Sequence, residues 1–242
     1  ASVARAAGVT PVEAYLDAVS GVLALARELT DDEWFAPTDL PVWTVFDNVA
    51  HVVAIEDELA ERPVPSSIHD WSRFPHVTTP FQQYTEVGVE ARRGLPSQEL
   101  VAELANLVEE RSRQLASTPE TPDAEMRGPA GMVGPVSRVM GTRTLDVWAH
   151  EQDVRRAVDR PGHLSGGPAE HTVDRLLRTI PIVVGKRSAA PEGSTSVLVI
   201  TGPVERTVPV VVEGGRAKVV DAAAAGDPAV TIRSVAKSIT VG

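Results

Sequence analysis

Cysteine is absent from all 242 residues. Its absence removes disulfides, thiolate zinc sites and a cysteine nucleophile together, so any thiol chemistry here must use a thiol supplied from outside. Aromatic residues are scarce at 4% against 43% hydrophobic overall, so the core is expected to be built largely from alanine and valine. Basic clusters are missing as well. The balance of 23 Lys and Arg against 33 Asp and Glu leaves a net charge of −10, which repels polyanions and argues against a nucleic-acid partner. No stretch approaches the roughly eighteen uncharged apolar residues of a membrane span. The first ten residues carry one arginine and no apolar leader segment. The expectation is a cytoplasmic protein with no membrane partner.

What is present reads first as helix. Apolar residues recur at helical spacing from Pro11 to Glu28 (Val12, Tyr15, Leu16, Val19, Val22, Leu23, Ala26), and Thr30-Asp31-Asp32-Glu33 has the form of a capping box. Thr44 can cap a second helix reaching about Ala60, with Asp47 in its first turn and His51 in its middle. The segment from Glu61 to Pro80 holds four prolines without periodicity and is expected to be a long loop that lines a site. A helix over Phe81 to Arg93 breaks at Gly94-Leu95-Pro96, and Ser97 is expected to cap an amphipathic helix ended by Pro119 and Pro122. After the Gly/Pro-rich Gly128 to Gly134, Pro135 stands at the first position of a helix running to Val158, and one more helix fits Pro168 to about Gly185.

From Ser194 the pattern changes to short β-branched runs at Ser196 to Thr201, Arg206 to Glu213, Ala217 to Val220 and Ala229 to Arg233, with turns at Gly202-Pro203 and Gly214-Gly215. The chain is therefore expected to be α+β, with a helical domain over residues 1–187 and a small sheet-containing domain over 188–242.

Chemistry is sought in the helical part. Asp146 and His150 lie four apart on one helix, so both side chains rise from one face and can reach a single ion. A catalytic zinc takes three protein ligands and keeps a fourth position open, and His51 on its own amphipathic helix is the best third ligand. Asp153 is the expected acceptor for the other N–H of His150, and Asp47 can serve His51 in the same way. Arg143, one turn before Asp146, can pair with it or face an anionic substrate. His69, His76, His163 and His171 fall in loops or near helix ends, where capping or exposure is the commoner role, although His69 and His76 lie in the expected site-lining loop. Trp43 and Trp148 read as core packing, and Glu109 and Glu110 as solvated surface. The bland alternative for Asp146 and His150 is a solvated ion pair.

Two stretches carry a resemblance: Trp43-Thr44-Val45-Phe46-Asp47-Asn48-Val49-Ala50-His51-Val52, and Asp146-Val147-Trp148-Ala149-His150-Glu151-Gln152-Asp153-Val154-Arg155-Arg156-Ala157 followed by Arg160-Pro161-Gly162-His163. Both resemble the mycothiol-dependent maleylpyruvate isomerase family. The resemblance implies a DinB-like four-helix bundle followed by a small sterol-carrier-like α/β domain, and it assigns the metal-ligand roles to His51, Asp146 and His150. Asp146 stands where the family pattern has the longer glutamate, and Ser234 to Gly242 is short for the closing helix of that family's small domain. The implied function is that of a metal-dependent enzyme, the metal expected to be zinc, which takes mycothiol as cofactor or co-substrate and acts as an isomerase or S-transferase on a small electrophile. The rival readings are a zinc hydrolase on the same site, with Glu56, Asp57 or Asp153 as base, and a non-catalytic carrier of lipids or small ligands.

Overall fold

In the computed structural model, residues 8–63, 65, 68, 70–222 and 227–235 are described. Five helices of eleven or more residues precede Gly162: α1 (Pro11–Ala26), α2 (Val45–Leu59), α3 (Pro80–Glu90), α4 (Ser97–Leu115) and α5 (Val136–Ala157). Three of them begin with reciprocal capping boxes, Thr10 with Glu13, Thr44 with Asp47 and Thr79 with Gln82, each of which satisfies orphan backbone donors at both ends of the first turn. Ser97 does not cap α4. It is the first helical residue, Pro96 precedes it, and no side-chain cap is formed. Pro135 likewise precedes α5 instead of opening it.

Helices α1, α2, α4 and α5 form the four-helix bundle. Its most extensive contact is α1 on α5, and α2 packs on α4, α3 and α5. The interior is aliphatic, as the composition requires, with Ala14, Ala18, Val19, Ala50, Val52, Leu100, Leu104, Leu107 and Val147 fully buried. Helix α3 approaches α2 at Gly88, where an added Cβ would lie 2.4 Å from the Cβ of Ala54, so only glycine permits this spacing. The Gly/Pro-rich segment after Gly128 closes a small hairpin, in which β1 (Glu125–Arg127) pairs antiparallel with β2 (Val133–Pro135) and leads directly into α5.

The second compact unit contains α6 (Gly167–Leu177) and a four-stranded sheet. The strands β3 (Thr195–Thr201), β4 (Arg206–Glu213), β5 (Arg216–Val219) and β6 (Val230–Val235) are ordered β5-β4-β3-β6, with β3 and β6 parallel and the other pairs antiparallel. The units divide between Gly162 and His163, so α6 belongs with the strands, and the division falls earlier in the chain than the expected 187/188 boundary. The helix expected over Pro168 to Gly185 stops at Leu177. Pro181 lacks the N–H that would continue it, and a short turn at Ile180–Ile182 passes into a π turn at Val183–Arg187. The end of the chain from residue 236 lies outside the described residues, as does His69. No helix among the described residues is long and apolar enough to cross a membrane.

Candidate metal centre

The site begins with the cap of α2. Thr44 and Asp47 fix the first turn, and Arg93 holds the second oxygen of Asp47 through Nε at 2.8 Å. Asp47 is thereby committed to the cap and to Arg93 and does not support His51. Two turns into the helix, His51 is buried at 4% exposure. Asp146 and His150, one turn apart on α5, face it across the α2–α5 contact. His51 Nε2 lies 3.4 Å from Asp146 Oδ2, and His150 Nε2 lies 3.7 Å from Asp146 Oδ1. One ligand atom from each of the three residues falls within 4.8 Å of the others, and the two imidazole centroids are 4.6 Å apart.

Hydrogen bonds around the group determine which atoms face inward. Asn48 Nδ2 donates to the Thr44 carbonyl and to Thr38 Oγ1, so Asn48 Oδ1 is the acceptor for His150 Nδ1–H at 2.8 Å. That bond sets the His150 tautomer and leaves the Nε2 electron pair directed to the centre, the arrangement a histidine ligand needs. Burial, with His51 alongside, lowers the His150 pKa to about 3, so the ring is neutral at physiological pH. Burial alone would raise the Asp146 carboxyl, but Arg143 and the two imidazoles outweigh it and hold the pKa far below the usual carboxylate range. Two imidazoles and one carboxylate form a donor set suited to a divalent transition metal. His51 Nδ1 is buried and has no hydrogen-bond partner among the described residues.

Behind the group lies a buried polar chain. Arg143 joins Asp146 Oδ2 (2.5 Å) to Glu56 Oε1 (2.6 Å), while Tyr15 donates its hydroxyl to the other oxygen of Glu56 and Arg111 stands 3.6 Å from it. Glu56 is 0% and Arg143 is 2% exposed, so Arg143 is committed to the protein interior and does not reach a substrate. Glu56 is sequestered from any role as base. Asp57 pairs with Arg92 and Arg62. Asp153, expected to support His150, instead pairs with Arg156. Burial outweighs that arginine and raises the Asp153 carboxyl to about 6.

The three residues border a cavity of about 410 Å³, walled mainly by Leu40, Pro41, Trp43, Phe81, Leu145 and Ala149, with Asp153, His76 and Glu86 also on its surface. Trp43 was expected to be core packing. Its indole lies against both imidazoles, at 5.4 Å from His51 and 5.9 Å from His150. Val42, just before it, takes a left-handed backbone conformation (φ 66°), a cost for a β-branched residue at the turn that delivers the indole. Trp148 is buried as expected. Asn48, three residues before His51 and so on the same helix face, was not singled out from the sequence. That spacing was the available signal.

Residues 15–155 match the family model described as the mycothiol maleylpyruvate isomerase N-terminal domain, and the chain belongs to this family. Among solved structures, the chain is similar to a mycothiol-dependent maleylpyruvate isomerase at 20% identity and TM-score 0.48. It is also similar to a histidine-to-alanine mutant of such an isomerase at 18% identity and TM-score 0.47. Each likeness covers 84% of this chain and 80% of the other. No curated protein sequence matches significantly.

Proposed function

We propose that this protein is a metal-dependent enzyme of thiol chemistry that takes mycothiol as cofactor or co-substrate and acts as an isomerase or S-transferase on a small electrophile. The reading rests on the clustering of His51, Asp146 and His150 ligand atoms at the wall of a mainly apolar cavity, in a chain that has no cysteine of its own. Family membership supplies the thiol's identity. Zinc is the proposed metal, held by His51, Asp146 and His150. When bound, it lowers the pKa of a thiol in its open position and makes a thiolate available at neutral pH.

The residues of the chain perform the rest. Asn48 orients His150, and Arg143 orients Asp146 and balances its charge. Leu40, Trp43, Phe81 and Leu145 exclude water from the reacting carbon. We place the enzyme in the cytoplasm, with the helical unit carrying the metal. Hydrolysis is the second reading, favoured only by the raised carboxyl of Asp153 on the cavity wall, which could serve as base toward water.

Elemental analysis tests the assignment. Purified protein is expected to hold about one equivalent of zinc, and His51→Ala and His150→Ala are expected to lose most of it. Turnover that requires added mycothiol supports the thiol reading, and equal turnover without it supports the hydrolase. Protein that takes up no metal after zinc addition refutes both.

A further inference from the structure

The cavity contains a second polar group that the metal site does not use. Glu86, on α3, is 1% exposed and accepts from Trp43 Nε1 (3.1 Å) through Oε2, while Arg93 Nη1 lies 2.6 Å from Oε1. His76, from the loop before α3, places Nε2 3.3 Å from the same Oε2 and is itself on the cavity surface with a side chain 26% exposed. Oε2 faces the indole N–H and Oε1 the guanidinium of Arg93, both groups that only donate, so Oε2 is left to accept from His76. His76 therefore donates Nε2–H to it, and Nδ1 is the nitrogen left to exchange a proton. Nδ1 has no partner among the described residues. The indole of Trp43 joins the two groups: its ring lies against the His51 and His150 imidazoles, and its N–H is bonded to Glu86.

We propose that His76 is a catalytic acid and base of this site, oriented by Glu86 as a positioning residue, and that it makes the protein competent for thiol conjugation as well as isomerisation. This rests on the thiol reading given above. When the thiol has released its proton to water and the thiolate sulfur forms a bond to the β-carbon of an enone, the π pair passes to the α-carbon and carbonyl oxygen. Isomerisation needs only rotation and loss of the thiol. A stable conjugate needs one proton at the α-carbon, which the protonated His76 supplies from Nδ1 before it is reprotonated from water. The titratable and charged groups around His76 are Glu86, Glu90 and Arg93 from α3 and its end, Asp47 of α2 through Arg93, Arg73 paired with Glu90, and, on the same cavity, His51 of α2 with Asp146, His150 and Asp153 of α5. Asp153 is the competing proton donor, and its pairing with Arg156 sets it apart from the Glu86 cluster.

The experiment compares zinc-loaded wild type, His76→Gln, Glu86→Gln and Asp153→Asn for conjugation of mycothiol to benzylideneacetone across pH, together with ring-nitrogen NMR of the metal-free proteins. His76→Gln is expected to retain zinc, to lower kcat for conjugation by about 100-fold with little change in KM, and to lose the fall in rate at high pH. Glu86→Gln is expected to keep that fall but displace it to lower pH. In the metal-free protein the same substitution shifts His76 away from the Nε2–H tautomer. Asp153→Asn is expected to keep the wild-type profile. A folded, zinc-bearing His76→Gln with wild-type kcat and pH profile overturns the proposal, as does transfer of the high-pH fall to the Asp153 variant. Wild type that binds zinc but shows no mycothiol-dependent turnover of any enone overturns the thiol reading itself, and the role of His76 with it.

Discussion

Replacing Glu56 by glutamine preserves volume and removes one charge from a cluster of four, made up of Arg111, Arg143, Glu56 and Asp146. In the native protein the two positive and two negative charges cancel, and after the change one positive charge is left over. Arg143 is 2% exposed, so water cannot replace the lost partner, and it keeps only Asp146 at 2.5 Å. Removing one member of a buried pair costs about 3–5 kcal/mol, and the surviving Asp146 contact puts the expected loss near the lower end, about 3 kcal/mol. With a urea dependence of about 2–3 kcal/mol per molar, the unfolding midpoint should fall by about 1–1.5 M, followed by the fluorescence of Trp34, Trp43 and Trp148. The double variant Glu56→Gln with Arg143→Met, which removes both charges, should recover part of that loss. A midpoint for Glu56→Gln within about 0.3 M of wild type would refute the argument that this chain of charges is desolvated and mutually compensating.

Two further outcomes follow from the same geometry. Asn48→Leu removes the acceptor that fixes His150 Nδ1–H and should weaken zinc binding about 10- to 100-fold in a competition titration while leaving all three ligands in place; unchanged affinity would show that the tautomer does not depend on Asn48. Asp153, with its folded-state carboxyl raised to about 6, contributes stability that is present below about pH 4 and lost as pH rises through about 6. Asp153→Asn should therefore flatten the decline in stability over that interval, by no more than about 3 kcal/mol, and a wild type that gains stability across it would contradict the assignment.

Much of the helical unit could be read along the chain because its signals are local. The Thr44–Asp47 capping box, the apolar spacing of α1 and α4, and the one-turn separation of Asp146 and His150 all depend on neighbours within a few residues. The missing cysteine likewise needed no structure to exclude a thiol of the chain's own. The departures share a different origin. Asp153 and Asn48 were both within reach of an imidazole by spacing, but which one meets His150 depends on the rotation of α5 against α2, and that favours Asn48. Arg143 could pair with Asp146 or face the cavity until Glu56, 87 positions away, proved to be beside it. Trp43 looks like any core aromatic until the turn at Val42 sets its ring against the two histidines. The residues that can form a metal centre, and the helices that carry them, were determined by sequence, because hydrogen bonding along a helix repeats every turn. Only the tertiary structure decided which side chains support and surround that centre, because contacts between helices depend on crossing and rotation, which no local pattern encodes.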